Sequence, residues 1–247
     1  MAILSDLIAA LIFFILGVLI SRAYTRFRSQ RPGSRVWRLG KGDEVTIVTA
    51  TAPYRDDEEF TITVYPAEYT AASAVANYLS HSLGCKVNRI CNSDELPLDR
   101  SLEGNLILIG GPNHNRISRI FLERVPLPFH FEHCDLIDEG TGTRYAPRIE
   151  NNSIVEDYGL VVLTANPFKP SSRLVMLLGC RTYGCIASAH VLIDERVRTT
   201  SNTLKRFDST TLIVKTDVVG QYATRIEIVF PGPPSDVPIP STEIRNG

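Results

Sequence analysis

Fourteen consecutive residues, Leu7 to Ile20, carry no polar side chain, and nothing else in this chain narrows its possible folds so sharply. A helix with no polar face has no side to turn to water, so such a run belongs in a bilayer or deep in a core. Extending it back to Ala2 gives nineteen residues and adds only Ser5 and Asp6. At about 1.5 Å per helical residue that length spans roughly 28 Å, close to the hydrocarbon thickness of a membrane. The expectation is one transmembrane helix over residues 1–21.

Arg22, Arg26, Arg28, Arg31, Arg35 and Arg38 follow directly, whereas the residues ahead of the run include Asp6 and no Lys or Arg. Basic residues are retained on the cytoplasmic side of a membrane. The N-terminus is therefore expected outside and the rest of the chain in the cytoplasm, with membrane lipid as a partner of the arginines. A cleaved signal peptide is the first alternative; it lacks the basic leading region, although Ser21-Arg22-Ala23 loosely imitates a cleavage site. A buried helix of a soluble protein is the second.

The remaining length suits one domain. A formal net charge of −1 offers no field to gather polyanions, so nucleic acid is not an expected partner. Five cysteines without C-x-x-C spacing form neither a disulfide framework nor a zinc ribbon, and read as free thiols of a reducing compartment. Residues 22–43 mix Arg, Pro, Gly and Ser, the composition of a basic juxtamembrane linker, and the domain is expected over 44–231. The last seventeen residues hold five prolines, which cannot donate to helix or sheet ladders, so 232–247 reads as a tail.

Within the domain, VTIVTA (Val45 to Ala50), NLILIGG (Asn105 to Gly111) and RLVMLLG (Arg173 to Gly179) are apolar on both faces. Such runs suit the interior of a parallel sheet covered by helices. Each precedes a helical pattern: Ala67 to Leu83 ending at Gly84, Asn113 to Arg124 stopped by Pro126, and Thr182 to Asp194. KVNRIC adds a strand, Phe129 to Leu163 reads as a hairpin insertion, Asp157 to Ala165 rejoins the sheet, and Thr210 to Thr216 with Thr224 to Phe230 forms a closing hairpin. The fold class is thus α/β: an open, Rossmann-like, mostly parallel sheet with a β-hairpin insertion, preceded by one N-terminal transmembrane helix.

Ligands of open α/β sheets bind beyond the carboxyl ends of the strands. That rule selects the start of the first helix (Tyr65 to Tyr69), the turn Gly110-Gly111-Pro112-Asn113-His114-Asn115-Arg116, the segment Asn166-Pro167-Phe168, and Gly179 to Gly184. In the second of these, Gly110 and Gly111 allow close backbone approach, Asn113 is the expected cap, and Asn115 and Arg116 are expected to face the mouth. The turn matches neither GxxxxGK[ST] nor GxGxxG. The plain alternative is a tight turn that serves folding only. Gly110, Gly111, Asn113, Asn115, Arg116, Asn166, Arg181, Tyr183 and Gly184 form the expected ligand-binding set.

GGPNxN, DYG, NPF and a strand ending in G-x-x-x-Y-G together resemble an α/β domain of bacterial proteins over Val45 to Leu192. The likeness implies the fold and a shared role for those loops.

Glu68 opens the first helix and is the expected acid/base; its alternative is to complement the helix dipole. Cys180 and Cys185 flank a helix start, where a thiol pKa falls, but without a partner each reads as a small buried residue. His130, His133, Cys134 and Asp135 are potential metal ligands on a strand that would split them between two faces. No metal and no cofactor is expected. Asp56 to Glu59 reads as a solvated run, and His190 as structural.

The function these features suggest is a single-pass membrane protein whose cytoplasmic domain binds a small polar ligand, a nucleotide or nucleoside derivative, in a sensor or effector role. The alternatives are an enzyme of nucleoside or nucleotide cleavage using Glu68, and a scaffold without a small ligand. A homo-oligomer is compatible with each.

Overall fold

The computed structural model describes residues 13–21, 36–55, 60–63, 65–194 and 210–230. The first half of the expected anchor, the arginines from Arg22 to Arg35, the acidic run Asp56 to Glu59 and the Pro-rich tail lie outside the described residues. Residues 13–21 form a helix, α1, whose side chains are all exposed; Phe13 is 73% and Phe14 70% accessible. Among the described residues no helix is long and apolar enough to cross a membrane.

After α1 the elements run β1 (Glu44–Thr49), β2 (Ala52–Arg55), β3 (Phe60–Thr63), α2 (Pro66–Tyr78), β4 (Lys86–Asn92), β5 (Asn105–Ile109) and α3 (Arg116–Leu122). Next come β6 (Phe129–Glu132), β7 (Asp135–Asp138), β8 (Arg144–Tyr145), β9 (Arg148–Glu150), β10 (Ser153–Asn166) and β11 (Lys169–Gly179). The chain closes with α4 (Thr182–Ile193), β12 (Thr210–Val219) and β13 (Tyr222–Phe230). The main sheet has eight strands in the order β13-β12-β10-β11-β5-β1-β4, with β9 added against β10.

The three doubly apolar runs are neighbours: β11, β5 and β1 lie side by side and parallel, and β4 extends them in the same direction. The other half differs from the mostly parallel expectation. β10 runs antiparallel to both β11 and β12, and β13 antiparallel to β12, so the sheet is mixed. A continuous apolar run specifies burial on both faces but is blind to direction. Strand direction here follows from the short turn between β10 and β11, which leaves no room for a crossover helix.

Alternation in β5 divides the core in two. Ile107 and Ile109 face the layer that contains α2 and α4, while Leu106 and Leu108 face the layer that contains α3. α2 begins at Pro66, where the missing N–H costs nothing. It widens into a π-type turn over Leu79–Leu83 and stops at Gly84, whose φ of 73° suits glycine. α3 begins at Arg116, three residues later than expected, with Asn115 as its cap in place of Asn113. The expected hairpin insertion is a separate three-stranded sheet, β6-β7-β8, followed by the β9–β10 hairpin.

Residues 36–39, read from composition as linker, reach the core: Val36, Trp37 and Leu39 are buried, and the Trp37 indole Nε1 donates to Leu192 O at 3.3 Å.

Candidate functional site

Because β1, β5 and β11 are parallel neighbours, the turns that follow them meet at one rim. They enclose a cleft of about 140 Å³. Tyr65 and Glu68 come from the start of α2, Gly111 to His114 from the β5–α3 turn, and Gly179 to Thr182 with Cys185 from the β11–α4 turn. Phe131, His133 and Cys134 arrive from the small sheet, around the turn between β6 and β7. Asn113 fastens that turn in place by donating from Nδ2 to His133 O at 2.6 Å.

Glu68 occupies the floor. It is 5% exposed, and its Oε2 is buried without a hydrogen-bond partner. Its Oε1 lies 3.9 Å from the Cys185 thiol. Burial pushes the carboxyl up to about 7, against the opposing pull of the Ala50 amide and that thiol. An isolated buried carboxylate prefers to hold its proton, which is how a carboxyl comes to titrate near neutrality. Gly110, with φ of 106°, leaves the space that Glu68 uses: a Cβ there would come within 3.1 Å of both carboxyl oxygens and 2.7 Å of the Ala50 Cβ. At the rim, the Tyr65 hydroxyl and His114 Nδ1 share a hydrogen bond of 3.4 Å, their rings edge to face.

Asp157, inside β10, is fully buried and holds the start of α4. It accepts from the amides of Gly184 at 2.6 Å, Arg181 at 3.1 Å and Tyr158 at 2.8 Å. Burial raises it to about 6 despite those three donors. Cys180 and Cys185, read as small buried residues, are buried, their thiols pushed up by desolvation first and by the nearby acids second. The helix dipole is outweighed, so neither is a thiolate nucleophile at neutral pH.

The expected ligand-binding residues therefore divide. Gly111, Asn113 and Arg181 line the cleft with Glu68, and Gly110 shapes its floor. Asn115 faces inward: its Nδ2 donates to Ile109 O at 3.0 Å, and its Oδ1 accepts from Ile117 and Ser118. The Arg116 side chain is spent on the loop after β4, donating to the carbonyls of Ser93, Asp94 and Leu96. Gly184 is a packing position, because a Cβ there would sit 1.9 Å from Tyr158 O. Tyr183 precedes it and is not part of the cleft wall.

Asn166 belongs to the opposite pole. Since β10 runs antiparallel to β11, it ends near the start of β5, where the Asn166 Nδ2 donates to Leu102 O and Gly104 O. Sequence reasoning missed Asp157 as the brace of α4 and His133 as a cleft residue; His114 lies in the selected turn but outside the expected ligand-binding set. An acid beside the apolar run GLVVL was a readable signal for Asp157. The two histidines reach the cleft only through turns whose placement is tertiary. No group of three or more His, Cys, Asp or Glu among the described residues is arranged to hold a metal. Compared with known protein families and with curated proteins, the chain matches none.

Proposed function

We propose that this chain is a single-pass membrane protein whose cytoplasmic α/β domain binds a small polar ligand of the nucleoside or nucleotide class in the Glu68 cleft, in a sensor or effector role. The observation that carries the ligand reading is the buried Glu68 oxygen without a partner at the foot of a cleft framed by three parallel strand ends. An unsatisfied buried acceptor costs about 1–3 kcal/mol, which a donor from a ligand recovers on binding. Cavities with a few convergent polar groups at this end of an α/β sheet are where ligands bind.

The anchor rests on the run Leu7 to Ile20, the arginines that follow it, and the exposed apolar side chains of α1. Titration near pH 7 supports the enzyme variant of this reading, in which Glu68 moves a proton on the bound ligand. A shallow mouth filled by Tyr65, Tyr69 or Tyr183 would favour the scaffold alternative. Of these Tyr65 borders the cleft, while Tyr69 stands outside at 61% exposure.

The test is a thermal-shift screen of the full-length chain in detergent against nucleosides, nucleotides and simple sugars, run beside Glu68→Gln. Stabilisation of the wild type by a member of the panel, weakened in the variant, is the expected result. A flat response across the panel removes the reading.

A further inference from the structure

The turns that frame the cleft have already committed many of the backbone donors an anion would need. Gly110 N donates to Leu177 O at 3.1 Å, and the amides of His114 and Asn115 both donate to Gly111 O. Those of Ile117 and Ser118 are taken by the Asn115 side chain. Across the cleft, Asp157 takes the amides of Arg181 and Gly184. A carboxylate thus stands at the start of α4, the place where a phosphate binds at other helix N-termini, and its charge opposes a second anion.

Glu68 adds a further acid at the floor, 5% exposed, its Oε2 enclosed and without a hydrogen-bond partner. Arg181 is the one Lys or Arg on the wall, and it is exposed at the rim. About 140 Å³ encloses a single ring system with its exocyclic groups.

From these we infer that the ligand is unphosphorylated, and that it buries a hydrogen-bond donor, an amino or hydroxyl group of a nucleoside-like ring, against Glu68. This rests on the ligand reading above and narrows it from nucleotides to nucleosides. A 5′-phosphate at this rim meets the charge of the buried Asp157 where it needs an amide nest, and finds one exposed guanidinium beside the His114 and His133 imidazoles.

Matched pairs separate this inference from the reading beneath it. The full-length chain in detergent is titrated at pH 8 by calorimetry with adenosine, guanosine, cytidine and uridine, and with each 5′-monophosphate. At least one nucleoside is expected to bind, its monophosphate about tenfold or more weakly, and Glu68→Gln to weaken the nucleoside by a similar factor. A monophosphate that binds as tightly as its nucleoside overturns the inference and leaves the ligand reading standing, whereas nucleoside binding indifferent to Glu68→Gln counts against both, since both rest on that carboxyl. Silence from every pair overturns both.

Discussion

At the scale of single residues, Glu68 couples the cleft to pH. Its folded pKa of about 7 lies above the ordinary 4.5. Folding therefore favours the protonated carboxyl: the stability it contributes is complete below about pH 4.5 and is lost as pH rises through 7. The full effect is on the order of 3 kcal/mol. Denaturant melts of Glu68→Gln against wild type should show the variant more stable at pH 8, with the gap closing toward pH 5. A gap that is constant with pH would place the carboxyl in water. Gly110→Ala is a second case, since φ of 106° and the clashes with Ala50 and Glu68 act together; a loss of about 2–4 kcal/mol is expected in chemical denaturation. Glu68 was legible from its position at the head of a helix. The enclosure of its partnerless Oε2 was not, because it depends on a glycine forty-two residues later along the chain.

Elements show where pattern reading succeeds and where it stops. Periodicity located α2 and α4 closely, and the doubly apolar runs identified β1, β5 and β11, because burial leaves its mark in the side chains themselves. Direction and cap choice leave no such mark. Asn113 and Asn115 are both good caps, and the choice between them turns on the inward pull of the Ile109 and Val48 carbonyls on the Asn115 amide. Asn115→Ala should consequently cost more than an exposed cap, about 2–4 kcal/mol, because two helix amides and two strand carbonyls lose that partner together. For Asp157→Asn, hydrogen exchange should report the damage: the Arg181 and Gly184 amides lose protection before the rest of α4. Uniform protection in that variant would show that α4 needs no brace from β10.

On the scale of the whole molecule, the two ends of the sheet have different duties. The carboxyl ends of β1, β5 and β11 hold the cleft, while the other pole is knitted by Asn166 and by Asn105, whose Nδ2 donates to Glu44 O. Removal of residues 1–21 should release the protein from the membrane fraction into the soluble fraction while leaving its ligand response intact. Retention at the membrane after that deletion would locate the attachment elsewhere. Composition marked residues 22–43 as a connector, and three apolar side chains near its end went unrecognised because Pro, Gly and Arg surround them.

Trp37 gives that connector a mechanical meaning. Its indole is fully enclosed and fastened to the last turn of α4, whose opposite end borders the Glu68 cleft. Val36, Trp37 and Leu39 together seat the chain ahead of β1 in the core layer that holds α2 and α4. A change that loosened this seat would reach the wall of the cleft through α4.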